Sequence, residues 1–131
     1  MASEIAARFM RTLEQVEETG DVELLVAMFT EDAKLSNLAM VEPLSGRDGA
    51  RHFWQKYLSV FERIHSKFTN VVEGDGTAVL EWVSHGTLPT GKPINYRGVS
   101  LIEIAHGQVC HFRTYYDSAA FVLQNTHEKP E

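Results

Sequence analysis

Two glycine-marked turns, GDG at 74–76 and His106-Gly107, each separate a pair of long strand-like runs. A tight turn between two extended runs is the signature of an antiparallel hairpin. The first turn is flanked by Phe68 to Glu73 and by Thr77 to Leu88. The second is flanked by Ile94 to Ala105 and by Val109 to Asp117, and PTGKP forms the loop between the hairpins. The second half of the chain is therefore four strands of a sheet. A sheet in water needs at least one face covered by other elements.

The first half supplies the cover. Ile5, Phe9, Leu13 and Val16 recur at helical spacing over residues 4–18, with charges between them, and this helix ends at Gly20. Asp21 is placed to accept backbone N–H bonds at the start of a second, short helix bearing Val22, Leu24, Leu25, Met28 and Phe29. Residues 31–38 turn extended, with Leu35 and Asn37 on one face, and MVEPLSGRDG reads as loop. Ala50, Phe53, Trp54, Tyr57, Leu58, Phe61 and Ile64 follow steps of three and four, which predicts a third helix running through Ile64. Phe121, Val122 and Leu123 are expected to pack once more. The layout is α+β, with three N-terminal helices on one face of a bent, mostly antiparallel sheet. It forms a single domain over 1–131, with a core at about 4–123 and a polar tail at 124–131.

Composition removes several classes of function. With 18 acidic against 12 basic residues, a formal charge of −6 and no basic run, the chain has the wrong sign for a phosphate backbone, so no nucleic acid is expected. No apolar run is long enough to span a bilayer, and MASEIAARFM lacks the features of a signal peptide; a cytoplasmic place and no membrane partner are expected. Cys110 stands alone. The six histidines show no HxH or HxxxH spacing, and there is neither a phosphate loop nor a GxSxG elbow. Neither a metal nor any cofactor is expected.

The closing run GQVCHFRTYYD at 107–117 supplies the first candidate for chemistry. Asp117 ends a strand behind two tyrosines, and a carboxylate among aromatics can have its pKa moved into a working range. Alternation complicates this reading. Asp117 shares a face with His111, Arg113 and Tyr115, whereas Cys110, Phe112, Thr114 and Tyr116 form the more apolar set that helices should cover. A bulge near 114–117 would bring Asp117 inward while Phe112 and Tyr116 stay on the core side. The competing reading of Asp117 is a turn cap. His85 is a further candidate proton carrier, and Asn37 either a polar ligand contact or a turn-former. Trp54 and Tyr96 belong to an aromatic wall suited to a hydrophobic small molecule.

The Gly20-Asp21 helix start, FTEDAKL at 29–35, LSGRDGARHFW at 44–54 and the closing GQVCHFRTYYD, in this order, resemble the SnoaL-like branch of the nuclear transport factor 2-like superfamily over about residues 4–123. The resemblance implies a cone-shaped roll around a pocket, and frequently a homodimer. In ketosteroid isomerases the base, the oxyanion tyrosine and the protonated aspartate correspond to Asn37, Leu13 and Ser100, so all three roles are vacant. In limonene epoxide hydrolases Asn37 and Asp117 match two water-holding residues. Leu35 stands for the tyrosine, and Trp82 and Ser84 for the arginine and the acid. SnoaL-like cyclases carry an acid–base aspartate where Asp117 stands.

The resemblance thus implies Asp117 and Asn37 as chemical groups, and the reading of the strands adds His85 as a proton carrier. Leu13, Trp54, Trp82, Ser84, Tyr96, Ser100, Phe112 and Tyr116 would contact a ligand. Two readings follow. One is a cofactor-independent enzyme performing cyclisation, isomerisation, dehydration or hydration on an apolar small-molecule ligand. The other is a non-catalytic ligand-binding or dimerisation module, which the vacant acid positions favour. Val79, Val83, Val99 and Leu101, on the face opposite the helices, are where a homodimer would form.

Overall fold

A computed structural model describes residues 2–126, and the side chains of residues 4–122. In chain order the elements are α1 (Ala2–Thr19), α2 (Glu23–Val26), β1 (Phe29–Asn37), β2 (Leu44–Ser45), α3 (Gly46–Ser59), β3 (Arg63–Gly74), β4 (Thr77–Thr87), β5 (Pro93–Ala105), β6 (Gln108–Tyr116) and α4 (Ala119–Thr126). The strands form one open sheet in the order β2-β1-β6-β5-β4-β3. β1 runs parallel to β6, and every other neighbouring pair is antiparallel. The helices pack on this sheet as an α+β cone.

Both hairpin turns occur where expected. Asp75-Gly76 and His106-Gly107 have positive φ at both positions, with values of 54° and 75°, and of 55° and 74°. Paired positive φ values mark the type I′ turn, whose twist matches that of the strands it joins. On α1 the predicted face of Ile5, Phe9, Leu13 and Val16 is buried. Asp21 Oδ1 accepts the Glu23 N–H at 3.1 Å, starting α2 as its side chain suggests.

Three expectations need correction. The third helix stops at Ser59; Phe61 follows in the turn and Ile64 lies on β3. Both residues continue a helical step, but they are buried in a second apolar cluster with Leu88, Ile94 and Tyr96, and Ile64 starts a buried alternation with Ser66. Within the stretch read as loop, Leu44 and Ser45 pair with β1. The strand irregularity expected near 114–117 lies instead between Glu103 and Ile104, which pair with His111 and Val109 and leave Cys110 as the extra residue. The end of β6 is regular up to the Gly98–Tyr116 pair. Of the tail, 124–126 belong to α4, and 127–131 lie outside the described residues.

The core has two centres. Phe9, Phe53, Trp54 and Phe112 meet edge-on or tilted, with centroids 5.0–6.3 Å apart, and tie α1 and α3 to β6. Phe61, Tyr96, Trp82, Tyr116 and Phe121 form the second aromatic group, between β4, β5, β6 and α4. Tyr57 packs against both.

Candidate functional site

Where the two apolar centres meet, side chains leave a cavity of about 500 Å3. That is within the range (~300–1,000 Å3) that encloses a drug-sized molecule. Its walls are mostly aromatic and aliphatic; His52 and Lys56 are exposed at its edge, and its inner polar atoms fall into two groups.

The first polar group depends on α1. Glu17 is on the half-exposed flank of that helix, and packing of α1 on β3 brings its carboxylate onto the strand. Oε1 accepts the Ser66 N–H at 2.7 Å, and Oε2 accepts both Ser66 Oγ–H and Tyr57 O–H at 2.6 Å. Ser66 Oγ is also 2.6 Å from Ser84 Oγ, its cross-strand partner. Burial raises the Glu17 pKa above the usual 4.5, and the hydrogen bonds from Ser66 and Tyr57 offset only part of that effect. Burial, then the nearby Glu17 charge, holds the Tyr57 phenol well above its usual value. The Tyr96 phenol is raised by burial, with Tyr116 next in importance. Both phenols therefore stay protonated at ordinary pH.

The second group lies across β4, β5 and β6. Trp82 Nε1–H donates to Ser100 Oγ at 2.9 Å, and Ser100 Oγ is 2.9 Å from Thr114 Oγ1. The indole can take this position because residue 98 is glycine. A Cβ there would sit 2.7 Å from Trp82 Cζ2, 2.8 Å from Tyr116 Cβ and 2.3 Å from the Tyr115 carbonyl oxygen. Asn37, level with Thr114 in the parallel ladder, accepts the Ala39 N–H on Oδ1 at 2.9 Å. That bond fixes the amide's orientation and leaves Nδ2 as a donor. Trp54 Nε1 is buried without a hydrogen-bond partner among the described residues.

The residues expected from the sequence divide clearly. Leu13, Asn37, Trp54 and Trp82 line the cavity, and so do Ser84, Tyr96, Ser100, Phe112 and Tyr116. Asp117 and His85 do not. Asp117 is exposed, and its Oδ1 accepts the Ala119 N–H at 3.0 Å, opening α4 as an Asx turn. Without a bulge at the end of β6, strand alternation leaves it outside. His85 is exposed on the outer side of β4, where Nδ1 meets Asn95 Oδ1. It borders a separate outer groove with Arg63 and His65.

Glu17 borders that outer groove as well, while its hydroxyl partners line the cavity, so one carboxylate connects the two spaces. Sequence inspection missed it, because a glutamate on an amphipathic helix looks like solvated surface. The inward alternation of Ile64, Ser66 and Phe68 was the available signal for its partner. Among the described residues no cluster of three or more His, Cys, Asp or Glu could hold a metal ion, and no helix is long and apolar enough to cross a membrane.

A family model described as SnoaL-like domain matches residues 6–112. No curated protein matches the chain. Among solved structures, an NTF2-like protein from Anabaena variabilis superposes with a TM-score of 0.82 at 21% identity, over 89% of this chain and 90% of the other. IdmH from Streptomyces antibioticus, described as a candidate polyketide cyclase, gives 0.77 at 20% identity over 96% and 99%. A candidate isomerase from Rhodopseudomonas palustris gives 0.81 at 17% identity over 94% and 96%. At these identities the likeness shows a shared fold.

Proposed function

Because this chain belongs to the SnoaL-like domain family, whose fold hosts several chemistries, its activity has to be argued from its own cavity. We propose that it binds an apolar small molecule bearing oxygen functions and performs cofactor-independent acid–base chemistry on it: cyclisation, isomerisation, dehydration or hydration. The observation that carries this reading is the hydroxyl chain from Glu17 to the cavity wall.

The direction of that chain follows the proton on Glu17. When the carboxylate is ionised, Tyr57 and Ser66 donate to Oε2, and Ser84 in turn donates to Ser66. Ser84 then offers a ligand only lone pairs. A ligand C–H or O–H proton taken by Ser84 Oγ passes on as the Ser84 proton moves to Ser66 and the Ser66 proton to Glu17. One proton leaves the ligand and one arrives on the carboxylate. When Glu17 is protonated the chain reverses, and Ser84 O–H points at a ligand oxygen as a donor. Burial of the carboxyl keeps the protonated form available closer to neutral pH than for an ordinary glutamate.

That no carboxylate among the described residues lines the cavity favours a second reading, a binding module without turnover. Thermal shift with apolar carbonyls, steroids, epoxides and aromatic polyketides, followed by turnover of any binder, separates the two. A ligand at ~100-fold its Kd stabilises by about 2.7 kcal/mol, several degrees in Tm here. Acid–base chemistry through Glu17 requires that Glu17→Gln keep binding and lose turnover, while Asp117→Asn keeps both. The reverse pattern returns the chemistry to Asp117, and binding with no turnover supports the module. If no class binds, the cavity reading fails. We also propose a cytoplasmic place of action and a second copy on the outer face of Val79, Val83, Val99 and Leu101. A monomer by light scattering at micromolar concentration would remove the dimer.

A further inference from the structure

The chain carries a formal charge of −6, yet its cavity has the opposite sign. Among the described residues no aspartate or glutamate belongs to the lining, whereas His52 and Lys56 both do. These two are four residues apart on α3, so they share one face of the helix with Val60 one turn further on. Both are exposed, which puts them at the mouth, whereas Ser66 and Ser84 on the inner wall are only 3% and 1% exposed. Among the described residues no carboxylate pairs with either His52 or Lys56, although Arg47, Arg51 and Arg113 all have acidic partners. Glu42, on the adjoining 38–43 loop, is exposed and outside the lining.

An ammonium at the entrance of an apolar, acid-free cavity serves one purpose well: it neutralises an anionic group on a ligand whose body is buried. At the inner end, the hydroxyls backed by the Glu17 carboxylate repel an anion and accept or donate hydrogen bonds to neutral oxygen. The two ends therefore impose a direction. Building on the reading of this cavity as a ligand site, we propose that its ligand is an apolar carboxylic acid. Its carboxylate is held at the mouth by Lys56 and His52, and its neutral carbonyl or hydroxyl end faces Ser66, Ser84 and Tyr57.

The test uses naphthalene-, anthracene- and pyrene-bearing short-chain carboxylic acids, each paired with its methyl ester. Binding is followed by fluorescence polarisation at low salt. The readout is the ratio of ester Kd to acid Kd, in which the contribution of the common apolar body cancels. In Lys56→Gln the ratio should fall about fivefold, and in the double variant His52→Gln/Lys56→Gln about tenfold, the size of one or two partly solvated charge-assisted contacts. Lys67→Gln, at an exposed lysine outside the cavity, should leave it unchanged. All three positions are exposed, so folding is not at risk. If acids and esters both bind and the double variant keeps the wild-type ratio, the carboxylate proposal is overturned and the ligand cavity stands. If no acid and no ester binds the wild type, the cavity reading falls and takes the proposal with it.

Discussion

Replacing Glu17 tests whether its carboxylate is a built part of the site or a surface charge lying against it. Glu17→Ala removes the acceptor for Ser66 N–H, Ser66 Oγ–H and Tyr57 O–H. Ser66 Oγ keeps Ser84 at 2.6 Å and Tyr57 O–H keeps only its long 3.5 Å approach to Ser66 Oγ, so the Ser66 amide loses its side-chain acceptor and the Tyr57 hydroxyl loses its short one. A buried donor without a partner costs about 1–3 kcal/mol, and here the outer groove admits water to the vacated position, so the net cost falls at about 1–2 kcal/mol. For a domain of this length that lowers Tm by about 3–8 °C. Glu17→Gln keeps Oε1 for the Ser66 amide and supplies an NH2 that donates to the two hydroxyls, which rotate; its cost is below about 1 kcal/mol. The pH dependence is the sharper criterion. Glu17 has a folded pKa above 4.5, so its contribution to stability is fully present below pH 4.5 and is lost as pH rises through the folded value. Glutamine does not titrate. In urea unfolding at pH 4, 6 and 8, the difference between wild type and Glu17→Gln should therefore move in favour of the variant as pH rises, and all other titrating groups cancel. A difference that is constant with pH, or that moves in favour of the wild type, would refute the buried-carboxyl account. So would a glutamine variant as unstable as the alanine one.

Two further substitutions test how the walls are held. Gly98→Ala drives a Cβ against the Tyr115 carbonyl oxygen and the Trp82 ring, and the backbone oxygen cannot rotate away; the expected loss is about 3 kcal/mol, or roughly 10 °C in Tm, by calorimetry. A change below one degree would mean that the indole does not lie across β5. Phe112→Ala deletes a ring 3% exposed that meets Phe9, Phe53 and Trp54, and should cost about 3–5 kcal/mol in urea unfolding, with the cavity enlarged toward α1.

The sequence made the faces of the strands legible more readily than the ends of the elements. Alternation from Phe112 through Thr114 to Tyr116 predicts the inner side of β6, and the same side carries Trp82 and Ser84 on β4. The periodic run on α3 overshot because Phe61 and Ile64 continue a helical step by coincidence, while burial in a separate cluster decides their state. Asp117 attracted a chemical role through its neighbours in sequence, yet a regular strand end turns it outward. Glu17 could not be found in this way. Its environment is created by β3, about fifty residues further along, and an isolated helix pattern contains no sign of that packing.

The parallel pairing of β1 with β6, where Phe29 aligns with Val109, also governs the order of assembly. The two hairpins can form from local contacts, but β1 finds no partner longer than the two residues of β2 until the last strand has been made. Contacts of such long range close slowly and late. During synthesis the N-terminal helices must wait with an apolar face uncovered, which is the state most open to aggregation and to chaperones. The final strand and α4 bring Phe112, Thr114, Tyr116 and Phe121 to the cavity. A chain without its last strand lacks these walls, so a ligand filling the cavity would bind only after that strand has docked and would slow its release.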